Sequence, residues 1–420
     1  MASTPHEFDA IIVGARVAGT AAAIMLARQG RRVLVVDKAA FPSDTISTHI
    51  VLAGGTRVLA KMGVLPMLEQ LGGVRFDAMR ATGPGFDYTS SLIQNGEDIR
   101  GLCLGRLKMD AAMIDAARGI ESVMMRERFR VTDLIIEDGA IVGIRGEDST
   151  GSHEFHAPLT IGADGFRSTI AQLGEERLGA FKRVDVPCRR AYYYAYYQGV
   201  DHQRLRDELL TEFESAPGEA SLICRCEDGR AVAAVAFDTE EMRNFRTDLT
   251  GNFNAHLGKS LLVGKVLEGA TIASKVLSAG FLLNTYRDPV VNGALLLGDS
   301  GLHVDPLFGQ GHSLALMSAD IMQTLAPEWF SASRGSAISA DAMSTFTRER
   351  DAALMPYYNA SVRVSRELAL DKATLYAHRA ANTAQWAADE LIRFGQMASG
   401  RKIFPSFRFA RVMGAQRRDA

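Results

Sequence analysis

The sequence is poor in cysteine, with four residues in 420, of which only Cys224 and Cys226 lie close together. A C-x-C pair at strand spacing puts both thiols on one face, and it is neither the C-x-x-C of a dithiol redox site nor a zinc knuckle. Buried, idle thiols in a reducing cytoplasm are expected, and a secreted disulfide scaffold is excluded. Excess charge is missing too. With 47 basic and 49 acidic residues the net charge is −2, which argues against a general binder of nucleic acid or of anionic membranes. Long unbroken apolar runs are lacking: residues 9–27 come nearest, but Asp9 and Arg16 sit inside them and Gly14 and Gly19 interrupt them. No basic segment or cleavage signal precedes that run, so it is expected to be a soluble core segment rather than a signal anchor. No serine–histidine–acid triad, P-loop or metal-spaced His/Cys cluster is evident. What is present, 47% hydrophobic and 23% charged residues, excludes a disordered chain, and the length suggests about two or three domains.

The first forty residues carry a βαβ pattern. Ala10–Val13 is a short buried strand, Thr20 to Gln29 is rich in good helix formers with Gly30 at its C-terminal cap, and Val33–Val36 is a second strand ending at Asp37. Val131–Ile136 and Ala140–Arg145 form a hairpin about Glu137-Asp138-Gly139, and Phe155–Ile161 is a further strand leading to Asp164-Gly165. From about Val186 to Leu283 the character changes to an antiparallel sheet. Its strands are Tyr192–Tyr197, Ser221–Cys226 and Ala231–Phe237, with a helix-like insert around Leu205–Phe213. Ala294–Leu297 restores the buried-strand pattern, and the chain from about Ala340 is expected to be helical. The last twenty residues hold six basic side chains, among them Arg401, Lys402 and Arg408, against Asp419, and are expected to form a solvated tail.

The loop Gly14-Ala15-Arg16-Val17-Ala18-Gly19 lies between the first strand and its helix. A dinucleotide needs a tight turn there, close backbone approach to its pyrophosphate, and a helix N-terminus facing it. Gly14 and Gly19 meet the first and last needs, while Asp37, with Lys38 beside it, is placed to accept from a ribose hydroxyl. Arg16 replaces the middle glycine, so its side chain either points away from the phosphate or pairs with it. Gly298-Asp299 ends a later strand, followed by Asp305-Pro306-Leu307-Phe308-Gly309-Gln310-Gly311, a turn opening a helix.

Together, the degenerate G-x-G-x-x-G at Gly14, the D-G pair at Asp164-Gly165, and G-D with P-x-x-G-Q-G from Gly298 resemble the group A FAD-dependent monooxygenases, the para-hydroxybenzoate hydroxylase-like family. The resemblance implies an α/β fold: a Rossmann-like, glutathione-reductase-type FAD-binding domain, an inserted mainly antiparallel substrate domain and a C-terminal helical part. The boundaries expected are 1–75, 101–185 and 285–335 for the FAD domain, 76–100 and 186–284 for the substrate domain, and 336–420 for the helical region. By position, Asp37 would hold the adenosine ribose, Arg106 the pyrophosphate or ribityl region, and Asp299 a ribityl hydroxyl. Pro306, Gly309, Gln310 and Gly311 would pack near the isoalloxazine, and Asp164 would stabilise the loop shared by FAD and the transient donor, NADPH or NADH.

The departures fall next to the ring. Leu302 occupies the family's histidine position with His303 one residue later, Asp305 replaces the first proline, and Ser313 stands where an asparagine usually follows G-Q-G. His303 and Asp305 are either a proton relay or a loop-fixing pair, and His49 is either catalytic or structural. Tyr192, Tyr194 and Tyr196 share one strand face, which either lines an aromatic pocket or is sheet core. The resemblance implies a single-component enzyme, cytoplasmic and free of membrane or nucleic acid. It would use O₂ through a flavin C4a-hydroperoxide to hydroxylate an electron-rich aromatic small molecule, as a monomer or homodimer. The alternatives are a geranylgeranyl-reductase-like enzyme, a halogenase, or a flavin-binding protein without turnover. The W-x-W-x-I-P signature of tryptophan halogenases is missing, since the only tryptophans are Trp329 and Trp386.

Overall fold

A computed structural model describes residues 7–43, 49–201, 203–213, 218–280 and 282–399. Asp44–Thr48, which lead into His49, and the basic tail expected beyond 400 lie outside the described residues. The first sheet has six strands in the order Val123–Arg126, Val33–Val36, Ala10–Val13, Leu159–Gly162, Ala294–Leu296 and Val290–Val291. All but the last pair are parallel. Its central strands are apolar on both faces because both faces are covered. Ile12, Val35 and Ile161 face the helices Val17–Arg28 and Gly311–Ser333, while Ile11, Leu34 and Leu296 face the other side. There the hairpin Arg130–Glu137/Ala140–Asp148 and the helix Thr169–Leu178 lie against them.

The second sheet has eight strands, mostly antiparallel, centred on Arg190–Gln198, Ala231–Asp238 and Ala220–Arg225. The alternation of the tyrosine strand holds. Tyr192 and Tyr194 face a cluster closed by the helices Ala340–Arg366, Lys372–Thr383 and Gln385–Gly395, whereas Tyr193 and Tyr197 face Phe237, Phe253 and Leu257 on the opposite side. Arg190, 2% exposed, fastens that helical cover to the sheet. Its guanidinium donates to the carbonyls of Val364 at 2.5 Å and Glu367 at 3.0 Å, and also to Leu368, around the C-terminal end of Ala340–Arg366. It thereby satisfies carbonyls that a helix end leaves without partners.

Two expectations need correction. The segment around Leu205–Phe213 is not a helix: Glu208–Phe213 is a strand, paired in parallel with Ala78–Gly83. Its helix-forming residues yield to pairing that buries Leu209, Leu210 and Phe213. Phe155–Ile161 is not one strand but the end of Gly151–His156 and the start of Leu159–Gly162. Pro158 between them has no N–H to give a sheet ladder, and the chain changes sheets there. All four cysteines are buried and unpaired. No helix among the described residues is long and apolar enough to cross a membrane.

Candidate functional site

The glycine loop is built by close approach. Gly14 adopts φ +107°, and a Cβ there would lie 2.3 Å from the Ala163 carbonyl oxygen. At Gly19 a Cβ would lie 1.8 Å from the oxygen of Gly14. The Asp37 carboxylate fixes the loop from the next strand, accepting from Ala15 N–H at 2.7 Å and Ala39 N–H at 2.8 Å, and Lys38 beside it is exposed. No side chain caps the helix Val17–Arg28, so the N–H groups of its first turn face the loop unclaimed by any cap. Arg16 turns to the helix Arg106–Arg118. Its Nη1 lies 2.5 Å from Asp110 Oδ2 and its Nη2 donates to Ser43 Oγ at 3.0 Å. Asp110, 1% exposed, also receives Arg106 through three bonds of 2.9–3.1 Å. Two guanidinium groups thus share one buried carboxylate beside the loop.

Gly298 packs between the two long helices of the first sheet, since a Cβ there would lie 3.0 Å from Ala18 Cβ and 3.2 Å from Ala315 Cβ. Asp299 beside it is half-buried, and among the described residues its carboxylate has no hydrogen-bond or ion-pair partner. Pro306–Phe308 forms a single turn, Gly309 is left-handed at φ +64°, and Gly311 opens the 23-residue helix with free space where a Cβ would be. Gln310 is buried and accepts from Ser361 Oγ at 3.0 Å. Asp164 caps the helix Thr169–Leu178, accepting from Thr169 N–H at 2.6 Å, while its other oxygen is buried without a partner. Burial pushes its carboxyl above the usual range, against the pull of these bonds.

His303 and Asp305 take separate partners. His303 Nδ1 donates to the Leu283 carbonyl at 2.5 Å, and its ring sits 4.5 Å from Phe166. Asp305 is 1% exposed; one oxygen accepts from the Tyr192 hydroxyl and from Leu307 N–H at 2.9 Å, and the other is buried without a partner. Burial raises both the Asp305 carboxyl and the Tyr192 phenol. Asp305 thereby ties the tyrosine strand to the turn that opens the long helix.

The remaining tyrosines meet a polar corner. His49, at φ +63°, accepts from Arg106 N–H through Nδ1 at 2.9 Å, and the Tyr196 hydroxyl lies 3.0 Å from Nδ1 and 2.9 Å from Nε2. Its ring makes an edge contact with Tyr194, 5.6 Å between centroids. Burial, helped by the charges of Arg106 and Arg230, lowers the imidazole to about 3, so His49 is neutral at any physiological pH. His312, one residue into the long helix, bonds to the Ile50 carbonyl at 3.1 Å; burial and Arg106 keep it well below the ordinary histidine range. The tip of the hairpin formed by Ala220–Arg225 and Ala231–Asp238 closes the corner. Glu227 accepts from Gly105 N–H at 2.9 Å and from Arg230 Nη2 at 2.9 Å, and the Arg230 guanidinium lies 4.8 Å over the Tyr196 ring. The sequence singled out His49, Arg106 and Tyr196 but missed Asp110, Glu227, Arg230 and His312. Only His312, directly after Gly309-Gln310-Gly311, had a motif beside it.

Residues 7–354 match the family model described as FAD binding domain. The chain belongs to the FAD binding domain family. These are FAD-dependent oxidoreductases of the flavoprotein monooxygenase type, with enzymes among the relatives of this chain. Squalene monooxygenase SE2 of Panax ginseng is 25% identical over 332 residues, which is 76% of this chain and 57% of that protein. The chain therefore spans little more than half the length of that relative. Digeranylgeranylglycerophospholipid reductase 2 of Methanothermobacter thermautotrophicus is 26% identical over 326 residues, 77% of this chain and 78% of that protein. Among solved structures, the flavin-dependent brominase Bmp2 has a TM-score of 0.76 at 15% identity, covering 98% of this chain and 100% of that one. The p-nitrophenol 4-monooxygenase PnpA from Pseudomonas putida has a TM-score of 0.76 at 14% identity, covering 94% and 99%. These two likenesses are of fold. The cofactor of the FAD binding domain family suits the groups present: an uncapped helix start at a glycine cradle, a partnerless Asp299 carboxylate suited to a polyol, and open space at Gly311.

Proposed function

We propose that the chain is an FAD-dependent monooxygenase that takes electrons from NADPH or NADH and hydroxylates an electron-rich aromatic small molecule with O₂. The observation that carries this is the position of His49, whose ring touches both Arg106 N–H on the cofactor side and the Tyr196 hydroxyl of the second sheet. A cofactor bed and an aromatic face thus meet at one side chain. When bound, FAD supplies the two-electron reduction by nicotinamide and the activation of oxygen. Asp37 would accept from the adenosine ribose, Arg106 would hold the pyrophosphate or ribityl chain, and Asp299 a ribityl hydroxyl. The start of the long helix at Gly311 would favour negative charge on the reduced ring. His49, neutral and already accepting through Nδ1, positions the Tyr196 hydroxyl rather than serving as a base. The Tyr192–Asp305 pair fixes the Pro306–Phe308 turn. The cover of three C-terminal helices keeps water from the second sheet's aromatic face.

The test is turnover under ¹⁸O₂ with NADPH or NADH and a panel of phenols, with product mass and nicotinamide oxidation read together. One labelled oxygen atom in the product is expected. A flavin-dependent reductase is the second reading, favoured by the match to the archaeal reductase over 78% of that protein. A product gaining two hydrogens and no ¹⁸O would establish it and remove the monooxygenase.

A further inference from the structure

We propose that Glu219, Glu241 and His256 form a binding site for one zinc-class divalent cation, on the face of the second sheet turned away from Tyr192 and Tyr194. The three stand too far apart in the sequence to make a metal motif, and the fold gathers them. Glu219 precedes the strand Ala220–Arg225, Glu241 ends the single turn Thr239–Glu241, and His256 lies on the helix Leu249–Lys259. One ligand atom from each comes within 4.8 Å of the other two. The imidazole is presented in a set direction, because its ring packs on Phe237 and Phe245 with centroids 5.1 Å and 5.2 Å away.

The spacing within the group is that of ligands sharing an ion. His256 Nδ1 lies 3.3 Å from Glu219 Oε1, yet among the described residues neither ring nitrogen makes a hydrogen bond. Two ligand atoms at a tetrahedral angle about zinc, on bonds of about 2.0–2.2 Å, stand about 3.3–3.5 Å apart. Glu241 is exposed, and among the described residues its carboxylate has no hydrogen-bond or ion-pair partner, so its side chain is free to close on the other two. Two carboxylates drawn this close repel each other unless a cation stands between them. Lys259 lends some of that charge, but its ammonium is 3.9 Å from Glu219 Oε1 and more than half exposed, a weak contact that a dication displaces. One imidazole nitrogen with two carboxylate oxygens is a zinc-type donor set, with water completing the shell, whereas magnesium and calcium favour oxygen alone. A cation there would tie the helix and the turn to the start of a central strand, behind the sheet and apart from the cofactor bed.

The experiment is calorimetric titration of the untagged, FAD-loaded protein with zinc chloride and with magnesium chloride, after chelator treatment and desalting, in the wild type and in Glu241→Gln, His256→Phe and Lys259→Gln. Wild type is expected to take up a single zinc ion and to bind magnesium far more weakly. Glu241→Gln should weaken zinc on the order of tenfold or more, and His256→Phe, which keeps a ring on Phe237 and Phe245, on the order of a hundredfold. Lys259→Gln should tighten zinc by roughly threefold, since it removes a competing charge. Cobalt chloride gives a second readout: its visible absorption on binding should be strong in the wild type and lost in Glu241→Gln. Glu241 is exposed and partnerless, so that variant carries the test even where His256→Phe fails to fold. No zinc uptake by the wild type, equal affinity for magnesium, or undiminished zinc binding in Glu241→Gln would each overturn the site.

Discussion

At the scale of single residues, the site holds groups whose free states are set by what surrounds them. Asp299 is a carboxylate without a partner, so Asp299→Ala removes nothing from the fold's own bonding and should act on the cofactor alone. FAD affinity is expected to fall roughly ten- to a hundredfold, measured by flavin fluorescence on titration. A variant purifying with full flavin content would remove this role. His49 gives a pH prediction. Its folded value of about 3 lies below the ordinary 6.5, so below pH 6.5 the unfolded chain takes up a proton that the folded one refuses. The stability that this neutral imidazole preserves is complete above pH 6.5 and is lost as pH falls from there towards 3. Between pH 7 and 5.5 the loss amounts to about 1.2 kcal/mol for one such histidine. His49→Asn, which still offers an acceptor to Arg106 N–H, should show a shallower loss over that interval by about that amount in urea unfolding. His378, lowered to about 4 by burial against Phe86 and Tyr88, adds a contribution of the same sign that remains in the variant.

At the scale of elements, local pattern and long-range contact had different fates in the sequence. The βαβ start, the hairpin at Glu137-Asp138-Gly139 and the strand before Gly298 were legible because each carries its own punctuation: apolar runs, a glycine cap, a turn. The strand Glu208–Phe213 was not, because its residues favour a helix and its place between two strands, Ala220–Arg225 nearby and Ala78–Gly83 far away in the chain, decides otherwise. The site divides in the same way. Gly14, Asp37, Asp164 and Asp299 stand at strand ends where motifs announce them. Asp110 meets Arg16 across 94 positions, and Glu227 meets Gly105 across 122, at places with no local signature. Arg190 is another such long-range device, and its removal is predicted to be costly. Arg190→Leu leaves the buried Val364 carbonyl without a donor and the Glu367 and Leu368 carbonyls to water, and should destabilise the protein by about 1–3 kcal/mol. Chemical denaturation checks the magnitude, and earlier proteolytic cleavage near Glu367 checks the location.

At the scale of the whole molecule, two sheets share one boundary, and the C-terminal helices belong to the second sheet's core as much as its own strands do. Leu354, Tyr357, Ala380 and Ile392 lie in the same apolar cluster as Tyr194, Val232 and Phe86. Ending the chain at Ile338 should therefore expose that face, giving protein that binds a hydrophobic dye strongly or aggregates, by contrast with the full chain. A truncated protein that stays monodisperse without dye binding would show that the cover is dispensable.

The order of strands in the first sheet also has a consequence for synthesis. Ala10–Val13 and Val33–Val36 leave the ribosome before their sheet partners Leu159–Gly162 and Ala294–Leu296, so synthesis must pass Leu296 before the sheet is assembled. Asp299 and the start of the long helix follow immediately, so the cofactor role proposed for them would make flavin capture a late event on the nascent chain. The tyrosine strand and its hairpin, meanwhile, are already outside with one face waiting for helices not yet translated. That interval of naked apolar surface is where misassociation with other chains would be most favoured.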